Sequence, residues 1–293
     1  MVDRLSQLHS LPNKISNAPN MPHIFILDLD GTIIGDCSYQ CEIFNIQNIL
    51  IRNKIQGIND CNKSLKQCYQ SCSKLIRPDF KYFINNMRSI YPNSLFYIYT
   101  ASEKSWALKE IAIIEKENNI KFNRPLFTRE DCIKGSDGNL YKSVEKILPV
   151  ILKKSKLSKV KNIKKIIKPN IFIIDNNPTF IDYTDNLLIC PTYDYIKFNN
   201  LWDIIPNNYN TIKDLKNYIS NLISEKKLYG NKGKKDIVLE KIHKWLYKKY
   251  KIINKINSKF ENDTFWKDLT NIIIKNKIEV FNRKNIVIIR KLL

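Results

Sequence analysis

Three short runs of this chain are almost wholly apolar: residues 23–27 (His-Ile-Phe-Ile-Leu), 95–99 (Leu-Phe-Tyr-Ile-Tyr) and 170–174 (Asn-Ile-Phe-Ile-Ile). A run without polar alternation predicts a strand buried on both faces. Between the runs, apolar residues fall three and four apart, at Phe80, Phe83, Ile84 and Met87 and again from Trp106 to Ile114, which is the spacing of one helix face. Strands alternating with helices predict an α/β fold, a Rossmann-like parallel sheet with helices on both faces. Residues 36–74 interrupt that rhythm. They carry no buried-strand signal and predict a small helical insert, with helices over 39–54 and 60–74, above the carboxyl edge of the sheet. Residues 1–22 are polar and broken by Pro12, Pro19 and Pro22, which predicts a flexible tail.

After Pro206 the pattern changes to helical stripes alone: Ile212, Leu215, Ile219 and Leu222, then Val238, Ile242, Trp245, Leu246, Ile253 and Ile256. Residues 23–206 therefore read as one domain carrying the insert, and 207–293 as a basic helical C-terminal module, with a hinge near Gly230 and Gly233. The module holds 21 Lys and Arg against 8 Asp and Glu, so +13 of the chain's +21 lies there. Such a charge favours acidic partners, nucleic acid among them, although the abundance of Ile, Asn and Lys halves the weight of the argument. Eight lysines between Lys153 and Lys168 crowd one helix-like segment, read first as a solvated face and second as a nucleic-acid patch. No stretch reaches the roughly 18 apolar residues of a membrane span. The first 20 residues lack the apolar core of a secretory signal, and seven cysteines is an odd count, so an intracellular location is expected, cytoplasm or nucleus. Cys37 and Cys41, Cys68 and Cys72, with Cys61 between them, could hold zinc or form disulfides; free thiols are the simpler reading. Cys132 and Cys190 read as core.

The candidate chemistry sits where the apolar runs end. A parallel sheet brings those ends to one edge, where open α/β folds bind ligands. The first ends in Asp28-Leu-Asp30-Gly-Thr32, two carboxylates two residues apart. Ending a buried strand on two negative charges is costly unless a cation or a reaction uses them. The second ends in Thr100-Ala101-Ser102, which offers hydroxyl and backbone N–H groups to an anion. The third ends in Asp175-Asn176-Asn177-Pro178. Acidic oxygens around one point suit a hard cation, Mg²⁺ above all. One aspartate could then attack phosphorus while the other moves the proton.

Asp28-Leu-Asp-Gly-Thr32 resembles the first motif of the haloacid dehalogenase superfamily. Arg77-Pro78 with Phe80 and Phe83, Tyr99-Thr-Ala-Ser102, Leu126-Phe-Thr-Arg-Glu-Asp-Cys132, Gly138-Asn-Leu-Tyr-Lys142 and Ile174-Asp-Asn-Asn-Pro178 with Asn186 and Asp203 resemble, in that order, the segments of its small C-terminal-domain phosphatases, the NLI-interacting-factor-like group. The resemblance covers about residues 23–206. It implies a haloacid dehalogenase-like fold and a Mg²⁺-dependent phosphatase forming an aspartyl-phosphate, with phosphoserine or phosphothreonine of a phosphoprotein as substrate. Asp28 would be the nucleophile and Asp30 the general acid/base. Thr100, Ala101 and Lys142 would bind phosphate, with Lys134 and Lys146 as rivals to Lys142. Asp28, the Asp30 carbonyl, Asp175 and, through water, Asn176 would hold Mg²⁺, and Thr32 would shape the turn. Gly31 departs from the acidic residue usual in this family and is commoner in polynucleotide 3′-phosphatases, which makes a nucleic-acid 3′-phosphatase the alternative enzyme. A non-catalytic adaptor binding through the basic tail is the third reading.

Overall fold

The computed structural model describes residues 21–35, 49, 52–54, 76–195, 211–225 and 255–293. The three apolar runs form β1 (Ile24–Leu27), β2 (Leu95–Ile98) and β5 (Ile171–Asp175), joined by a short fourth strand, β6 (Leu187–Ile189). All four are parallel, in the order β2-β1-β5-β6, with Ile24 beside both Leu95 and Ile171 and Ile173 beside Leu187. The chain thus moves outward from β1 in opposite directions. The ends of β1 and β5 flank the switch point, where a ligand crevice opens in such sheets.

Side chains alternate across the sheet and feed two cores. On one face Phe25, Leu27, Phe96, Ile98, Phe172 and Ile174 pack beneath α1 (Phe80–Ile90) and α2 (Lys104–Asn118). On the other, Ile24, Ile26, Tyr97, Tyr99, Ile171 and Ile173 meet α3 (Val144–Lys154) and α4 (Ile163–Ile167). A small antiparallel hairpin, β3 (Ile133–Lys134) with β4 (Leu140–Tyr141), leads directly to Lys142.

Two expectations change. The division at residue 206 marks a shift in composition and not a boundary between cores. Besides α5 (Lys213–Glu225), the C-terminal part contains α6 (Phe265–Lys275) and α7 (Arg283–Leu292); Trp266 and Leu269 of α6, Phe281 between the two helices and Ile289 of α7 join the core of Phe25 and Phe172. Phe281 stacks on Phe172 with ring centroids 4.1 Å apart. Burying each such ring stabilises by about 1.5–3 kcal/mol. The lysine-rich segment is likewise not one helix: α3 stops at Lys154, a turn region follows, and α4 begins at Ile163, with all eight lysines exposed. The tail over 1–20, nearly all of the insert, its five cysteines, the glycine hinge, the stripe from Val238 to Ile253, and Asp203 lie outside the described residues. Among the described residues no helix is long and apolar enough to cross a membrane.

Candidate active site

Asp28 follows β1 and is locked in register by its N–H to the Ile174 carbonyl (3.0 Å). Asp175 closes β5, and Lys142 enters from the end of β4. The Lys142 ammonium lies 2.5 Å from Asp28 Oδ1 and 2.7 Å from Asp175 Oδ2. All three side chains are buried, with Asp28 6%, Asp175 0% and Lys142 2% exposed. The rings of Tyr99 and Phe180 flank the ammonium at 5.8 and 5.7 Å. Of the three candidate lysines only this one reaches the carboxylates: Lys146 Nζ donates to the Cys132 carbonyl (3.0 Å), and Lys134 is exposed on β3.

One cation between two buried anions leaves a surplus of negative charge. The ammonium sees two carboxylates, which outweigh its desolvation and hold its pKa above the usual lysine value. Asp28 sees one cation, a second anion and little water. Burial pushes its carboxyl up to about 7, with Asp175 and Asp30 adding to the rise and Lys142 opposing it.

Asp30 turns its side chain toward the end of β2. Its Oδ2 accepts from Ser102 Oγ (2.6 Å) and Thr100 Oγ1 (3.3 Å), and its Oδ1 from Trp106 Nε1 (3.4 Å). Thr100 Oγ1 also takes the Ser102 N–H (3.1 Å), which tightens the 100–102 turn, and the Ala101 carbonyl is held by Arg129 Nε (2.9 Å). Thr32 does more than shape a turn: its hydroxyl accepts the Asn176 N–H (3.0 Å) and lies 3.4 Å from Asp28 Oδ2, tying the loop after β1 to the loop after β5. Asn177 N–H (2.7 Å) and Thr179 Oγ1 (3.4 Å) orient Asp175. The sequence offers the Ser102 hydroxyl to an anion, and here it donates to Asp30; Trp106, read only as part of a helix stripe, and Thr179 enter the site from the structure alone.

Among the described residues no three carboxylate, thiolate or imidazole side chains converge as a ready-made metal cluster. The oxygens that do converge are of mixed kind. One terminal atom of the Asn176 amide lies 3.2 Å from Asp28 Oδ2 and 3.1 Å from the Asp30 carbonyl oxygen. An amide nitrogen there would donate to both; an amide oxygen there makes a third acceptor in a negatively charged corner. Turned with its oxygen toward that corner, the amide would complete a set of one carboxylate and two carbonyl-type oxygens, which suits a small hard cation.

Most of the chain matches a known family. The family model described as NLI interacting factor-like phosphatase covers residues 23–229, and the chain belongs to that family. It is therefore a phosphatase of the haloacid dehalogenase type. No curated protein sequence matches it. Two solved structures of the RNA polymerase II CTD phosphatase Fcp1, the first from fission yeast, are similar. One, of an arginine variant bound to beryllium fluoride, shares 14% identity over 93% of this chain and 71% of the other, with a TM-score of 0.36. The second shares 15% identity over 93% and 70%, also with a TM-score of 0.36.

Proposed function

We propose that the chain is a Mg²⁺-dependent phosphomonoesterase that carries the phosphoryl group on Asp28 and acts on phosphoserine or phosphothreonine in proteins. The observation that carries this reading is the buried Asp28–Lys142–Asp175 cluster with its surplus negative charge, set beside the Asp30 carbonyl and the Asn176 amide. Asp28 Oδ2, the Asp30 carbonyl and the Asn176 amide oxygen would hold the cation, with Asp175 behind them. Bound there, Mg²⁺ would neutralise phosphate oxygens and let an anion approach an anion.

The residues of the chain supply the rest. A carboxylate oxygen of Asp28 forms the bond to phosphorus as the ester oxygen departs with a proton from Asp30. Asp30 then takes a proton from water, whose oxygen attacks phosphorus and releases phosphate and free Asp28. Lys142 Nζ and Thr100 Oγ1 bind the equatorial oxygens as charge spreads over them. Ser102 and Trp106 keep the carboxyl of Asp30 at the rim of the site.

Gly31 no longer favours a nucleic-acid substrate. Its φ of +78° suits glycine, and a Cβ there would lie 2.6 Å from the Asn176 amide and 3.1 Å from Thr192, so local backbone geometry accounts for the residue. The test is phosphate release by the full chain from a phosphoserine peptide and from a 3′-phosphorylated oligonucleotide, with Mg²⁺ and with chelator. Metal-dependent release from the peptide at a rate well above the oligonucleotide is expected. The reverse order would replace the substrate class, and equal rates with chelator would remove the metal.

A further inference from the structure

We infer that Asp182, which the chemistry above does not use, is the positioning residue for Lys142; the inference rests on the phosphatase reading of the site. A lysine ammonium hangs on four rotatable carbons, so its place between two carboxylates holds only if the backbone beneath it is fixed. That backbone is gripped by the loop running on from Asp175. Lys142 N–H donates to the Thr179 carbonyl (3.0 Å), and Ile181 N–H donates to the Lys142 carbonyl (3.0 Å). One residue further on, the Asp182 carboxylate accepts from Ser143 Oγ (2.5 Å), Val144 N–H (2.7 Å) and Glu145 N–H (3.3 Å).

Asp182 thus caps α3 from outside the helix. It satisfies first-turn N–H groups and places a negative charge at the positive end of the helix. Ser143 is the helix's own cap, accepting from Lys146 N–H (3.2 Å), and its hydroxyl proton is what it gives to Asp182. One loop therefore presents Asp175 to the tip of Lys142 and Asp182 to its base. Removing the Asp182 carboxylate frees three donors and lets residues 142–145 slide relative to Asp175. A shift of about 1 Å at a reacting group costs about a hundredfold.

The experiment uses the full chain with Mg²⁺, p-nitrophenyl phosphate for turnover and tungstate as a binding probe. Asp182→Ala lowers kcat/KM by about 10–100-fold and weakens tungstate in parallel. Asp182→Asn, whose amide oxygen still accepts, stays within about threefold of the parent. In a Lys142→Met background Asp182→Ala costs nothing further, because the part it positions is gone. Parent-like kinetics for Asp182→Ala overturn the inference, as does a loss that multiplies in the double variant. So does an Asp182→Asn variant as impaired as the alanine. Should Asp182→Ala or the double variant not fold, Ser143→Ala, which removes one of the three arms, is expected to cost about threefold, and no loss there counts against the inference. If the parent turns over no phosphoester yet tungstate binding shows the same non-additivity, the phosphatase reading falls and the positioning role stands.

Discussion

Two buried cations stand among the described residues, and their surroundings differ in one respect that separates structure from chemistry. Arg77, 1% exposed, meets one carboxylate face to face: Nε to Asp263 Oδ1 at 2.9 Å and Nη2 to Oδ2 at 2.8 Å. Its Nη1 donates to the Pro191 carbonyl (2.8 Å), and its plane lies 4.3 Å from the Phe265 centroid and 5.4 Å from that of Tyr193. Charge balances charge, and the fork geometry uses both carboxylate oxygens. The pair fastens the start of α6 to the segment before α1. Lys142 meets two carboxylates and balances neither. A balanced pair is at rest; on the proposed reading the unbalanced one holds an anion in reserve for a cation or a phosphoryl group.

The largest effect expected is on turnover. Asp28→Asn removes the proposed nucleophile and should lower kcat by about 10⁴-fold or more. The unfolding midpoint at neutral pH should hold or rise, since the substitution removes a charge that burial already disfavours. A folded variant with measurable turnover near the parent would remove Asp28 from the chemistry. The second test sets the two cations side by side. Arg77→Met should cost about 3–5 kcal/mol by urea unfolding, because Asp263 is left charged and unpaired. In what remains folded, kcat should stay within about twofold. Lys142→Met should cost about a hundredfold or more in kcat. Adding Asp263→Leu to Arg77→Met should restore much of the lost stability, whereas adding Asp175→Asn to Lys142→Met should restore stability and no turnover. If the Arg77 variant loses kcat as Lys142 does, the division between the two cations is wrong.

Sequence exposed one half of this comparison and hid the other. The strand ends at Asp28, Thr100 and Asp175 were legible because a run such as Ile-Phe-Ile-Leu admits only a buried strand, and a parallel sheet collects its ends. The Arg77–Asp263 pair spans 186 residues and leaves no local trace. The stripe on α6, with Phe265, Trp266, Leu269 and Ile273 buried, says that one face is covered but not by what. Composition there suggested a separate module, since exposed lysines dominate the count while the few inward residues decide the packing. The strand β6 is three residues long, and the β3–β4 hairpin two on each side, too short for periodicity to register. The latch at Asp182 was hidden for a related reason: capping usually comes from the residue before the helix, and here a second cap comes from a residue 39 positions beyond Ser143.

Glu110 gives the comparison its third term, a buried carboxyl whose charge Lys109 only partly offsets. It lies on the inner face of α2 with Ala107, Ile111 and Ile114, is 5% exposed, and its Oε1 has no hydrogen-bond partner. Burial pushes its carboxyl up to about 7; the charge of Asp30 adds to the rise and Lys109 opposes it. A carboxyl whose pKa rises on folding takes up a proton when the chain folds. Its favourable contribution is complete below the unfolded pKa near 4.5 and is lost as pH rises through about 7. Glu110→Gln keeps the shape and removes the titration. In urea unfolding with chelator the variant should match the parent near pH 4 and exceed it by about 3 kcal/mol at pH 8. Part of the parent's slope will survive, because Asp28 is raised in the same direction, and Asp28→Asn combined with Glu110→Gln should flatten it further. A parent and a Glu110→Gln variant with the same dependence on pH would mean that Glu110 finds water or a partner in solution, and that a buried carboxylate here can stay charged with its charge only partly offset.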